Sequence, residues 1–212
     1  MDTGGGVLAE LYRFKQKEFS ERLRELADPR TVYVTDLVSC SHKRVMRLAY
    51  PLLSFQFEPY MLLGDLVHRG IQSLMVEMGR WRAEVSVEKE VDVGGEKYKL
   101  KGRIDLVRFA PSGDQAEEVV EVKTVRDLTR HEYPLEHHIL QLRIYMNLLS
   151  VKRGLLLYVS PSRIAEYEVE PADVDVEELV RQTVYDEVRP RYQWECRYCV
   201  YRKLCPYART QE

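Results

Sequence analysis

The residues best able to do chemistry are Asp105, closing a Gly102-Arg-Ile-Asp run, and Glu121-Val-Lys123, sixteen residues further on. Residues 96–109 and 117–124 both carry strand patterns, and Pro111-Ser-Gly-Asp114 between them is turn chemistry, so the segment is predicted to be a hairpin. With the turn centred on Gly113, Asp105 lies opposite Glu121, where Cβ atoms stand about 4.5–5.5 Å apart. Lys123 falls on the same face because side chains alternate along a strand, and Ile104, Leu106, Val120 and Val122 fall on the other. Two carboxylates this close raise each other's pKa unless a proton, a cationic side chain or a metal neutralises them. Oxygen donors select hard ions such as magnesium or manganese, and an incomplete cage leaves room for a substrate phosphate. The pattern therefore points to metal-dependent phosphodiester cleavage. Lys123 is the candidate to orient or deprotonate the attacking water, or to meet charge developing on the phosphoryl group. On its own, however, Asp followed by Glu-x-Lys is equally the signature of a hairpin with an exposed Glu-Lys ladder.

A second constellation shifts that balance. Cys40 stands alone, whereas Cys196, Cys199 and Cys205 fall within ten residues and are followed by Pro206. Three clustered thiols and one distant thiol suit four ligands of a single site that staples the two ends of the chain together. Disulfides would need an oxidising compartment, and the sequence shows neither a secretory leader nor an apolar run long enough to span a membrane, so a metal site is expected. The spacing alone does not choose between zinc and iron–sulfur.

Asp105, Glu121-x-Lys123 and Gln141-x-x-x-Tyr145, with His68 upstream, one cysteine before and three after, resemble the RecB-type nucleases that carry an iron–sulfur cluster, and more narrowly the CRISPR-associated Cas4 family. The resemblance runs from about Thr35 to Pro206. Ser41 follows the first cysteine where many members have proline, a residue that is not a ligand. The resemblance implies an α/β PD-(D/E)xK core with a mixed central sheet flanked by helices, plus a cysteine-ligated region joining the N- and C-terminal segments. It also implies a manganese- or magnesium-dependent DNA exonuclease, often 5′-to-3′ on single strands, that trims new spacers in CRISPR adaptation and so serves antiviral defence. Cys40, Cys196, Cys199 and Cys205 are then expected to hold the cluster, with a 4Fe–4S form favoured over 2Fe–2S. His68, Asp105, Glu121 and the Val122 carbonyl are expected to hold the divalent ion.

The other motif residues can be read physically. Residues 59–79 carry apolar positions at helical spacing, with Gly64, His68, Ile71 and Met75 on one side. A lone histidine in such a stripe is usually a core residue, but beside a carboxylate pair it becomes the expected nitrogen ligand. Gly64, one turn earlier, would let the helix approach the sheet closely. From Leu135 to Lys152 the pattern is again helical, and Gln141 and Tyr145 are neighbours one turn apart. The family resemblance assigns them contacts to DNA. His131 and His137 carry no matching signal and are expected at the surface.

Composition bounds these readings. The 212 residues, 45% of them hydrophobic, suffice for one substantial domain, taken as 1–212 with 28–58 and 189–212 forming the iron–sulfur region and 59–188 the catalytic core. The net charge of −2 excludes a chain coated in basic residues, yet residues 189–209 hold six basic residues against the single acid Glu195, and Lys43, Arg44 and Arg47 lie beside Cys40. Joining the cysteines would make one basic, aromatic-laced patch suited to a single strand, with Lys43, Arg44, Arg197 and Arg202 as candidate DNA contacts. The expected partners are single-stranded DNA and CRISPR integrase proteins, with a homo-oligomer allowed, in a cytoplasmic setting without a membrane. A DNA-end-binding adaptor with minor cleavage, or a repair nuclease outside CRISPR, are the competing functions.

Overall fold

The computed structural model describes residues 5–129 and 132–209; His131 lies outside the described residues. The chain forms α1 (Val7–Leu26), β1 (Thr31–Tyr33), α2 (Val34–Leu37), α3 (Ser41–Ala49), a 3-10 turn (Pro51–Ser54), α4 (Pro59–Glu77), β2 (Trp81–Val93), β3 (Glu96–Phe109), β4 (Ala116–Thr124), α5 (Glu136–Leu149), β5 (Arg153–Val159), β6 (Ile164–Val169), α6 (Val176–Val184) and α7 (Glu195–Tyr198). Local chemistry sets several ends. Pro59 opens α4, where its missing N–H would have had no helical partner, and Asp175 caps α6 by accepting the Glu178 N–H at 2.9 Å.

The sheet runs β1-β3-β4-β5-β6, with β2 paired along nearly the whole of β3. It is mixed, as expected: β1 lies parallel to β3 and β4 parallel to β5, while β3/β4 and β5/β6 are antiparallel. Because β2 fills one edge of β3, β1 and β4 must share the other. β1 pairs at Lys99–Lys101 and β4 from Leu106 onward, so the ladder is open at 102–105. The expected hairpin register holds, with Leu106 opposite Val120. At the next pair the strands part, and Asp105 sits in that fork.

Two expectations need correction. The sequence pattern predicts one helix starting near Thr35 and carrying Cys40, but that helix is broken. α2 ends at Leu37, α3 starts at Ser41, and Cys40 lies at the break between them. Nor do Ile104 and Leu106 share a face. Ile104 joins the main core with Val107, Val119 and Leu142, whereas Leu106 and Val120 join a small cluster with Ile71 and Met75 of α4. Alternation breaks because Glu84, opposite Asp105, adopts a left-handed backbone (φ 54°) and drops out of the β2/β3 ladder between Ala83↔Leu106 and Val85↔Ile104.

The main core spans both ends of the chain. Val32, Val34, Leu37 and Val38 pack with the sheet, so part of segment 28–58 builds the core, as do Val176 and Val180 of α6. Each such side chain contributes roughly 1.5–3 kcal/mol of burial, against about 0–1 kcal/mol for an exposed ion pair. By that measure α1 is the least firmly held helix. It has no buried residue, and ion pairs from Lys15 to Asp65 (2.6 Å), Glu18 to Arg69 (2.7 Å) and Glu25 to Lys101 (2.8 Å) fasten it across the fork.

Candidate functional site

The fork brings the sequence-predicted acid pair together with two helices. Asp105 Oδ2 accepts the Val122 N–H at 2.8 Å, replacing the ladder bond lost where β4 leaves β3. Its other oxygen lies 3.4 Å from His68 Nδ1 on α4. One turn beyond His68, Gln72 donates to Glu84 Oε1 (2.6 Å) and the Asp105 carbonyl (3.3 Å), locking α4 to the strand carrying the acid. One turn before it, a Cβ on Gly64 would lie 2.9 Å from Thr124 Oγ1, the close approach expected of that glycine.

Glu121 is held from above. Its Oε1 accepts from Lys123 Nζ (2.8 Å) and Gln141 Nε2 (2.7 Å), and Lys123 also donates to Gln141 Oε1 (2.9 Å). Its Oε2 is buried without a hydrogen-bond partner. A buried carboxylate oxygen left bare is costly, and an ion placed there would supply the missing contact. Burial drives the Glu121 pKa up, opposed by the Lys123 charge and reinforced by Asp105. Burial works against the charged form of His68, but the hydrogen bond and charge of Asp105 outweigh it and leave the pKa raised. Among the described residues no three His, Cys, Asp or Glu side chains are gathered tightly enough to hold an ion as they stand. The donor chemistry nevertheless fits a hard cation, with two carboxylates and an imidazole on one wall of a cavity of about 1050 Å³ roofed by α1.

Gln141 and Tyr145 line the same cavity as the acid pair, but both are mostly covered. Gln141 is buried inside the Glu121–Lys123 network, and Tyr145 lies behind it, buried, donating to the Arg103 carbonyl at 3.1 Å. Both are positioning residues here. Gly102 explains how a tyrosine fits, since a Cβ there would stand 2.6 Å from Tyr145 Cε1.

At the start of α5, Tyr158 OH accepts the Leu135 N–H (3.0 Å) and shares a hydrogen bond with His138 Nδ1 (2.8 Å). Burial, then the Lys123 charge and then His137, depress the His138 pKa to about 2. Burial and Lys123 likewise lower His137 to about 4; it is half-buried against Trp194 (5.0 Å), not a surface residue. Below the ordinary histidine value of 6.5 the unfolded chain binds protons that the fold refuses, so stability should fall as pH drops, by up to about 1.4 kcal/mol per pH unit for each site. Urea titrations between pH 7 and 4.5 should show a shallower loss for His138→Gln, which keeps a hydrogen-bond partner for Tyr158. An unchanged slope would contradict the assignment.

All four cysteines line one pocket, and none is bonded to another. Burial pushes the Cys40 thiol up to about 11 and raises Cys199 as well, so a metal bound there would have to displace their protons. Arg44 is buried and donates to the Pro29 carbonyl, so its charge is turned inward. Lys43 is tied to Glu195 at 3.1 Å. Arg197 and Arg202 are exposed, Arg202 at the pocket rim. Gln72, whose side chain reaches the acid strand, belongs to no motif in the sequence, and the one signal for Glu195 is that it is a lone acid amid bases.

The PD-(D/E)XK nuclease superfamily matches residues 75–206. The CRISPR-associated exonuclease Cas4 of Saccharolobus solfataricus (strain P2) is 38% identical over 197 residues, covering 90% of this chain and 95% of its own length. The chain belongs to the Cas4 exonucleases of the PD-(D/E)XK nuclease superfamily. The crystal structure of SSO0001 superposes on this Cas4-family chain with a TM-score of 0.85 at 36% identity, covering 97% of this chain and 98% of that one. Asp105 and Glu121-x-Lys123 thus sit in a nuclease core of a superfamily that uses divalent metals. Among the described residues no helix is long and apolar enough to cross a membrane.

Proposed function

We propose that this Cas4-family nuclease is a manganese- or magnesium-dependent exonuclease that degrades single-stranded DNA from its 5′ end, trimming ends for CRISPR spacer acquisition alongside integrase proteins. The observation that carries the proposal is the bare, buried Glu121 Oε2 beside Asp105 in a cavity large enough for a strand. His68, Asp105, Glu121 and the Val122 carbonyl would hold the ion, which when bound supplies positive charge to the scissile phosphate. Lys123, fixed by Gln141, stands ready to orient water or to meet charge on the phosphoryl oxygens. Exposed Arg197 and Arg202, with Trp194 and Tyr198, offer charge and stacking surface to the strand. The thiol pocket fits an iron–sulfur cluster with a structural role.

Linear single strands labelled at either end provide the test. With manganese, the 5′ label should be released early in short products while the 3′ label stays on long fragments; calcium should support binding without turnover. Early release of the 3′ label, or digestion that persists in chelator, would overturn the proposal.

A further inference from the structure

Cys40 must meet three thiols from the far end of the chain, and no helix or strand carries it there. We propose that Glu195 is the clasp that sets Cys40 in register with Cys196, Cys199 and Cys205, assembling the thiol pocket before any metal arrives. The inference rests on the reading of that pocket as a cluster site.

Glu195 is almost fully buried, 2% exposed, in a segment (residues 189–209) whose other charges are basic. Its Oε1 accepts the Cys40 N–H at 2.8 Å, across 155 residues of chain, and the Lys43 ammonium at 3.1 Å. Its Oε2 accepts the N–H groups of Arg191 and Tyr192, both at 2.9 Å. Four donors from two remote segments thus converge on one carboxylate, which is how a buried charge becomes tolerable. The Cys40 amide belongs to the break between α2 and α3, where no helical acceptor exists for it, so the carboxylate fills a vacancy the local backbone leaves. The next amide is fixed independently, Ser41 N–H donating to the Val188 carbonyl at 2.8 Å. Glu195 therefore controls the position of Cys40 from one side and the loop entering Cys196 from the other. It touches no reacting atom and acts through the ligands. Glutamine, the same size, would turn an NH₂ group toward donors that need an acceptor, so the clasp requires the carboxylate and not bulk alone.

Wild type, Glu195→Gln and Glu195→Ala, purified without oxygen, are compared by iron and sulfide per chain, by visible absorption, and by hydrogen exchange of the metal-stripped proteins. Both variants should retain iron about tenfold more weakly, and the Cys40, Arg191 and Tyr192 amides should exchange about tenfold faster or more, with β4 amides unchanged. Glu195→Gln keeps the test open if Glu195→Ala fails to fold. Unchanged exchange in a variant overturns the clasp, whether or not iron is lost. Faster exchange in a protein whose wild type binds zinc and no iron rejects the cluster reading and leaves the clasp standing.

Discussion

Glu121→Gln should melt no lower than wild type at pH 8 and yet cleave single-stranded DNA about 10³-fold more slowly. The two effects share one cause. Burial raises the Glu121 pKa, so the folded chain disfavours the ionised form and this group's contribution to stability declines as pH rises above the unfolded carboxyl value. The amide is neutral, keeps an oxygen for Lys123 and Gln141, and removes the cost of a buried charge whose Oε2 has no partner. What it removes as well is the negative oxygen that an ion would need. Thermal melts and single-turnover digestion with manganese check both halves. A variant that stays active would remove Glu121 from the chemistry, and one that melts well below wild type would show that its charge serves the fold. Asp105→Asn should lose activity to a similar degree but melt lower, because its carboxylate accepts the Val122 N–H at the fork and contacts His68.

Gly102→Ala is expected to cost about 1–3 kcal/mol of stability through overpacking. The added methyl would stand 2.6 Å from Tyr145 Cε1, 2.9 Å from Val34 Cγ2 and 3.0 Å from Val87 Cγ2, all three of them buried members of the main core. Tyr145 must move, and with it the support under Gln141, the residue that holds Glu121 and Lys123 in place. Because a displacement of about 1 Å in a catalytic constellation can cost about 10²-fold in rate, activity should fall further than the stability loss alone implies. Urea unfolding together with digestion well below the melting temperature separates the two effects. Full activity at reduced stability would mean that Tyr145 does not position the site.

The parts of this molecule legible in its sequence are those with a short period. Strand alternation and the Pro111–Asp114 turn were enough to place Leu106 opposite Val120, and the helical stripe of residues 59–79 put His68 and Gly64 on one side, though it took the family resemblance to set His68 beside Asp105. What the period could not reveal lies in pairings between distant segments. β1 is three residues long and exists through its parallel pairing with β3, and without it neither the opening at 102–105 nor the fork can be foreseen. The left-handed Glu84 breaks alternation from the neighbouring strand, so Ile104 and Leu106 part company for a reason absent from their own segment. Charge misled in the same way. Arg44 and Glu195 look alike as surface residues in a charged stretch, and both are buried because remote acceptors and donors meet them. Gln141 and Tyr145 were recognisable as a helical pair, but their spacing carried no information on whether they face a strand of DNA or the back of Lys123.

The most direct test is anomalous diffraction from crystals soaked in manganese. A single strong peak is expected within bonding distance of Glu121 Oε2 and Asp105, absent from Glu121→Gln crystals soaked alike. A peak elsewhere, or one that survives that substitution, would contradict the assignment of the acid pair as the metal site.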